Sequence, residues 1–79
     1  MNRFQLITSP TCGPCHVFKA QLRAYELYDD VEHLDVSSPE AKEIITKLGL
    51  RMVPAYVMDG ESVDQATFVK GLRAEAVPS

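Results

Sequence analysis

The chain reads as a small α/β domain, a four-stranded mixed sheet flanked by three helices. Strand-length apolar runs alternate with segments of helical period, in the order strand, helix, strand, helix, hairpin, helix. Asp59-Gly60, set between Ala55–Met58 and Glu61–Val63, is the favoured pair for a two-residue hairpin turn, so the last two strands are antiparallel neighbours. The first strand, helix and second strand form a right-handed crossover that sets these two strands parallel. With 79 residues, 46% of them apolar, the chain is near the lower size limit for a self-sufficient core, and residues 1–79 are expected to form one domain.

Each element has a local reason. Arg3 to Thr8 reads as a short buried strand stopped by Ser9-Pro10. In the helix that follows, His16, Lys19, Arg23, Glu26 and Asp30 recur at steps of three and four, which makes one wet stripe and predicts helix as far as Asp30. Val17, Phe18, Leu22, Ala24, Tyr25 and Leu27 fill the rest of the circumference, so this helix is expected to be buried over most of its surface. Val31 to Val36 is the second strand. Ser38-Pro39-Glu40 is a helix start, with a capping hydroxyl, a proline at the first helical position and an acid at the positive end of the dipole. Ala41, Ile44, Ile45 and Leu48 give that helix its apolar stripe, and Gly49 suits its C-terminal cap. Asp64 can cap a last helix that turns Phe68, Val69 and Leu72 inward, is weakened by Gly71 and frays before Pro78.

The chemistry lies in Cys12-Gly13-Pro14-Cys15, which holds both cysteines of the chain at a strand-to-helix junction. If Cys12 is the N-cap of the helix, its sulfur faces the backbone N–H of Cys15, which has no partner inside the helix. A thiolate there accepts that hydrogen bond and meets the positive end of the helix dipole, so its pKa falls below the ordinary thiol value of about 8.5. Cys12 is therefore the nucleophile and Cys15, covered by the helix, the resolving thiol. Pro14 fits the first turn, where its missing N–H forfeits no bond, and Gly13 lets the backbone pass close to a partner. A structural disulfide is disfavoured, because a loop this short removes little unfolded-state entropy. A zinc site would need two further ligands, and the candidates are His16 and His33, with no second cysteine pair. His16 reads as a solvent-facing side chain. No metal or other cofactor is expected.

A net charge of −3, with acidic and basic residues scattered, excludes the basic face that nucleic acid requires. No apolar run reaches membrane-spanning length, and Met1 to Ile7 lacks the apolar core and cleavage site of a secretory leader. The expected setting is cytoplasmic, where paired cysteines two residues apart are more often catalytic than structural.

A strand, then Thr11-Cys12-Gly13-Pro14-Cys15 opening a helix, then Val53-Pro54 opening a strand followed by Asp59-Gly60, resembles the thioredoxin superfamily over nearly the whole chain. The compact length and early motif resemble the glutaredoxin branch, whereas the tetrapeptide is the one typical of thioredoxins. The resemblance implies a sheet ordered 2-1-3-4, with the third strand antiparallel to the first and a cis peptide before Pro54 beside the dithiol. It implies a reducer of protein disulfides, probed by substrate segments through Thr11, Gly13, Pro14, Val53 and Pro54. A backbone edge at Val53 would pair with such a segment as an added strand.

The departures from the pattern are specific. Thr11 and Leu6 stand where thioredoxins carry a Trp and a buried acid, and Asp64-Gln65 and Thr67-Phe68 stand where glutathione-binding members carry a Gly-Gly pair and a polar residue before Asp. An acid near the docking place of the tripeptide's carboxylate disfavours tight glutathione binding. The expected activity is that of a monomeric dithiol electron carrier recharged by thioredoxin reductase, with ribonucleotide reductase as one candidate client. The alternatives are a glutathione-dependent glutaredoxin and a non-catalytic binding module on the same frame.

Overall fold

A computed structural model describes residues 3–76. The chain runs β1 (Phe4–Thr8), α1 (Gly13–Ala24), a 3-10 turn at Tyr28–Asp30, β2 (Glu32–Asp35), α2 (Pro39–Leu48), β3 (Ala55–Met58), β4 (Glu61–Val63) and α3 (Gln65–Ala76). The sheet order is β2-β1-β3-β4. Strand β1 pairs parallel with β2, in register Leu6 to His33, and antiparallel with β3, in register Leu6 to Tyr56. The β3–β4 hairpin turns on Asp59 (φ 53°) and Gly60 (φ 81°), the double left-handed geometry that favours an Asp-Gly pair.

Alternation along β1 divides the core into two layers. Phe4 and Leu6 face α1 and α3 and join Phe18, Leu22, Leu27, Val31, Phe68 and Leu72. Ile7 faces α2 with Leu34, Ala41, Ala55 and Val57, and Ile44, Ile45 and Leu48 close this side. Phe68 is the hub of the first layer, with its ring 5.7 Å from Phe4, 6.2 Å from Phe18 and 5.5 Å from Tyr56. At the sheet end remote from α1's start, the Arg3 guanidinium grips both carboxylate oxygens of Asp59 at 2.7 and 2.8 Å and also pairs with Glu75. The first strand is thereby tied to the hairpin and to α3.

The caps fall as the sequence predicts. Ser38 Oγ accepts from the Ala41 N–H at 3.2 Å, Asp64 Oδ1 accepts from the Thr67 N–H at 2.8 Å, and Gly49 ends α2 in the left-handed conformation (φ 66°).

Helix α1 departs from expectation by stopping at Ala24. Glu26 takes a left-handed φ of 60°, the Leu27 N–H bonds back to the Leu22 carbonyl at 2.8 Å, and the Glu26 N–H bonds to that of Arg23 at 3.1 Å. This is a Schellman stop, with Leu27 buried against the layer that holds Leu22. The helix is also less buried than predicted. Cys15, Phe18 and Leu22 form a single inward stripe, while Val17 and Tyr25 are 59% and 54% exposed.

Gly71 has a positive role in the packing rather than being a weakness of α3. A Cβ there would sit 2.8 Å from Met58 Sδ and 3.1 Å from Phe4 Cε1, so the missing side chain lets α3 settle on the sheet. The expected fraying before Pro78 lies outside the described residues.

Candidate functional site

The two cysteines meet at the start of α1 because β1 ends at Thr8 and the chain needs only a short turn, closed by the Cys12 N–H to the Ser9 carbonyl at 3.1 Å, before the helix begins. Cys12 is the N-cap, in extended conformation (φ −89°, ψ 110°). Its Sγ receives the Cys15 N–H at 3.2 Å, as expected of a sulfur at that position. The pair is joined as a disulfide, with Cα atoms 5.2 Å apart. Accessibility separates the partners, since Cys15 is 1% exposed beneath the helix whereas Cys12 is half-buried at the rim.

The remaining predicted site residues surround this rim. Thr11, Gly13 and Pro14 are exposed, and Val53 and Pro54 are half-buried. The Val53–Pro54 peptide is cis, as the resemblance implies, and the Val53 carbonyl oxygen lies 3.8 Å from Cys12 Sγ. Pro54 leads directly into β3, the neighbour of β1, so the sheet brings the 53–54 segment against the cysteine turn. Met52, 79% exposed, projects beside it.

Three features of the site escaped the sequence reading. His16 is exposed, as expected, but its Nε2–H donates to the Pro10 carbonyl at 3.0 Å and so braces the turn that carries Cys12. Val17, expected inward, instead lines an open groove with Pro14, Phe18, Gln21, Tyr56 and Gln65. Tyr56 forms the floor of this groove. Its ring meets Phe18 edge-on at 5.0 Å, its hydroxyl donates to Gln65 Oε1 at 3.3 Å, and burial raises its pKa above the ordinary tyrosine value. Two signals could have pointed here: Val17 is one turn on from Pro14, and Tyr56 is two residues beyond Pro54.

The histidines considered as metal ligands are both engaged elsewhere. His33 stacks on Tyr28, with ring centroids 4.1 Å apart, and donates from Nε2 to the Tyr28 carbonyl at 2.8 Å. Among the described residues, no three His, Cys, Asp or Glu side chains come together as a metal site. Leu6, at the place where thioredoxins hold a buried acid, is fully buried in the apolar layer. Among the described residues no helix is long and apolar enough to cross a membrane.

Chemically, two sulfurs so placed can pass between a disulfide and a pair of thiols. On reduction, the outer sulfur keeps an N–H donor and a helix N-terminus beside it, both of which favour the thiolate. The inner sulfur stays close enough to re-form the bond.

No family model matches the chain. A thioredoxin of Alternaria alternata is 32% identical over 65 residues, which are 78% of this chain and 55% of that protein. The chain thus spans about half the length of the curated relative it matches. Among solved structures, the solution structure of oxidised thioredoxin from Plasmodium falciparum superposes with a TM-score of 0.51 at 21% identity, covering 96% of this chain and 84% of that one.

Proposed function

From a chain that has the thioredoxin-superfamily fold, with its disulfide at the start of α1, we propose a thiol–disulfide oxidoreductase that reduces protein disulfides. One observation carries the reading: the half-buried Cys12 Sγ accepts the Cys15 N–H at the helix N-terminus while Cys15 lies covered directly below. Cys12 is the nucleophile and Cys15 the resolving thiol. In the reduced protein the Cys12 thiolate attacks one sulfur of the substrate disulfide, forming a mixed disulfide and expelling the other sulfur, which takes up a proton from water. Cys15 then loses its proton and attacks Cys12 Sγ. The second substrate sulfur leaves as a thiolate and takes up the proton that Cys15 released. The protein returns to the disulfide form, having given up two electrons and one proton, the other proton having come from water. No metal or organic cofactor takes part in these steps. The Cys12 thiolate needs activation by the helix start alone, so no additional base is assigned to it.

Thr11, Gly13, Pro14, Val53 and Pro54 shape the place where the substrate segment docks. The exposed Gly13 and Pro14 leave Cys12 open to an approaching sulfur, and the 53–54 segment walls the opposite side. The protein works as one monomeric domain in the cytoplasm, recharged by a flavoprotein thioredoxin reductase, with ribonucleotide reductase among its candidate clients. The Cys-Gly-Pro-Cys loop and the acid at Asp64 support the reductase over glutathione.

The test is insulin-disulfide reduction followed by NADPH consumption, with thioredoxin reductase and with glutathione plus its reductase in turn. Turnover with the first system and its loss in Cys12→Ser are expected. Undiminished reduction by Cys12→Ser refutes the assigned nucleophile, and turnover with glutathione alone refutes the assigned electron source.

A further inference from the structure

The groove beside Pro14 lies at one end of a pair of helices. Helices α1 and α3 lie side by side and run the same way: Gln65 and Pro14 share the end near the disulfide, Phe18 and Phe68 pack at 6.2 Å, and the Arg73 guanidinium lies 4.6 Å over the Tyr25 ring at the far end. The surface along this path carries two of the exposed large apolar side chains of the protein, Val17 and Tyr25, separated by the neutral amide of Gln21. The groove's own lining, Pro14, Val17, Phe18, Gln21, Tyr56 and Gln65, has no charge. Arg73 is exposed and, among the described residues, has no carboxylate partner, its guanidinium being occupied by the Tyr25 face. A guanidinium held over a ring still has N–H donors that a carboxylate can engage.

We propose that this strip is the recognition surface for the substrate polypeptide, and that it takes an extended segment with an apolar residue beside the reacting cysteine and an acidic residue farther along. The inference rests on the thiol–disulfide reading and names the substrate class of that site. The apolar side chain sits on Pro14, Val17 and Tyr56. The acidic side chain reaches Arg73. From Gln65 to Arg73 the helix rises about 12 Å at 1.5 Å per residue, a span that an extended chain crosses in about four residues. Such a spacing gives specificity through one apolar contact and one charge contact, with an uncharged stretch between them. A tripeptide is too short to bridge both.

The experiment uses the pre-reduced protein in single turnover, so that no reductase enters. Synthetic peptides carry one cysteine as a mixed disulfide with a small thiol, a leucine beside it, and Glu, Gln or Lys four residues further on, placed in turn on either side of the cysteine. Hydroxyethyl disulfide serves as a substrate too small to reach Arg73. The wild-type protein should reduce the Glu peptide about three- to fivefold faster than the Lys peptide in one of the two directions, the size of an exposed ion pair. Arg73→Glu should invert that preference and leave the rate with hydroxyethyl disulfide unchanged. Val17→Asp should slow the leucine peptides about tenfold relative to versions with serine in that place. A Glu-to-Lys rate ratio that Arg73→Glu leaves unaltered in both directions overturns the proposal. Failure of wild type to reduce hydroxyethyl disulfide overturns the dithiol reading beneath it, so the two failures are distinguishable.

Discussion

Replacing Gly71 by Ala puts two physical effects of opposite sign in competition. On an isolated helix the change is favourable by about 1 kcal/mol, because Ala has the higher helix propensity. In the packed protein the new Cβ would lie 2.8 Å from Met58 Sδ and 3.1 Å from Phe4 Cε1. Met58 is half-buried on an unbranched stem and can swing aside. Phe4 cannot do so cheaply, being 5% exposed and held edge-on to Phe68 at 5.7 Å. Overpacking of this kind costs about 1–3 kcal/mol. The net expectation is destabilisation of about 1 kcal/mol, seen as a lower urea midpoint with unchanged slope and a Tm lower by about 4–8 °C for a domain of this size. Urea unfolding of the wild-type and Gly71→Ala proteins, both oxidised, measures it directly. A variant more stable than wild type by half a kcal/mol or more refutes the reasoning, since it would show that α3 does not press on Phe4 as described.

The other expectations concern the site and the charged caps. Cys15→Ser, with the nucleophile intact and the resolving thiol gone, should accumulate a mixed disulfide with substrate that mass spectrometry detects, whereas Cys12→Ser should accumulate none; equal trapping by both variants would contradict the assigned roles. Asp35, Asp59 and Asp64 all have carboxyl pKa values lowered by hydrogen bonds, from Ser37, Arg3 and Thr67 respectively. Their stabilisation is therefore fully present above the unfolded carboxyl value of about 3.9 and is lost as pH falls through the lower folded values, so the urea midpoint should be flat from pH 7 to 5 and drop below about pH 4. Asp64→Asn, which keeps a capping oxygen, should reduce that slope, and an unchanged slope would show that the Thr67 contact does not govern the titration. Ser38→Ala should cost about 1 kcal/mol through loss of the hydrogen bond to the Ala41 N–H; a cost near zero would mean that water replaces the cap without penalty.

Much of this architecture is legible in the sequence, because its signals are local. Asp59-Gly60, Ser38-Pro39 and Gly49 each place a boundary through the backbone conformation that these residues favour, and the structure uses all three. The arrangement of Cys12 and Cys15 follows in the same way from a helix start and an N-cap sulfur. What the sequence hides is decided by tertiary contact. Glu26 takes a left-handed conformation with no glycine to announce it, because burying Leu27 against the Leu22 layer outweighs the local cost, and the periodic pattern therefore runs past the true end of α1. Val17 looks like a core residue by type, but the sheet needs only the Cys15, Phe18 and Leu22 stripe, and the valine is left at the mouth of the groove. Tyr56 and Gln65, nine residues apart in the chain, meet because the β3–β4 hairpin returns the start of α3 to Tyr56, and no short motif marks that contact. Gly71 is a weakness by propensity and a close-packing site by contact.

The acidity of Cys12 tests the account most directly. Titrating the reduced protein by thiolate absorbance at 240 nm, with Cys12→Ser and Cys15→Ser to assign the steps, should give Cys12 a pKa clearly below the free-thiol value of about 8.5 and Cys15 a higher one. A Cys12 pKa at or above that of a free thiol would contradict the claim that the start of α1 activates this sulfur.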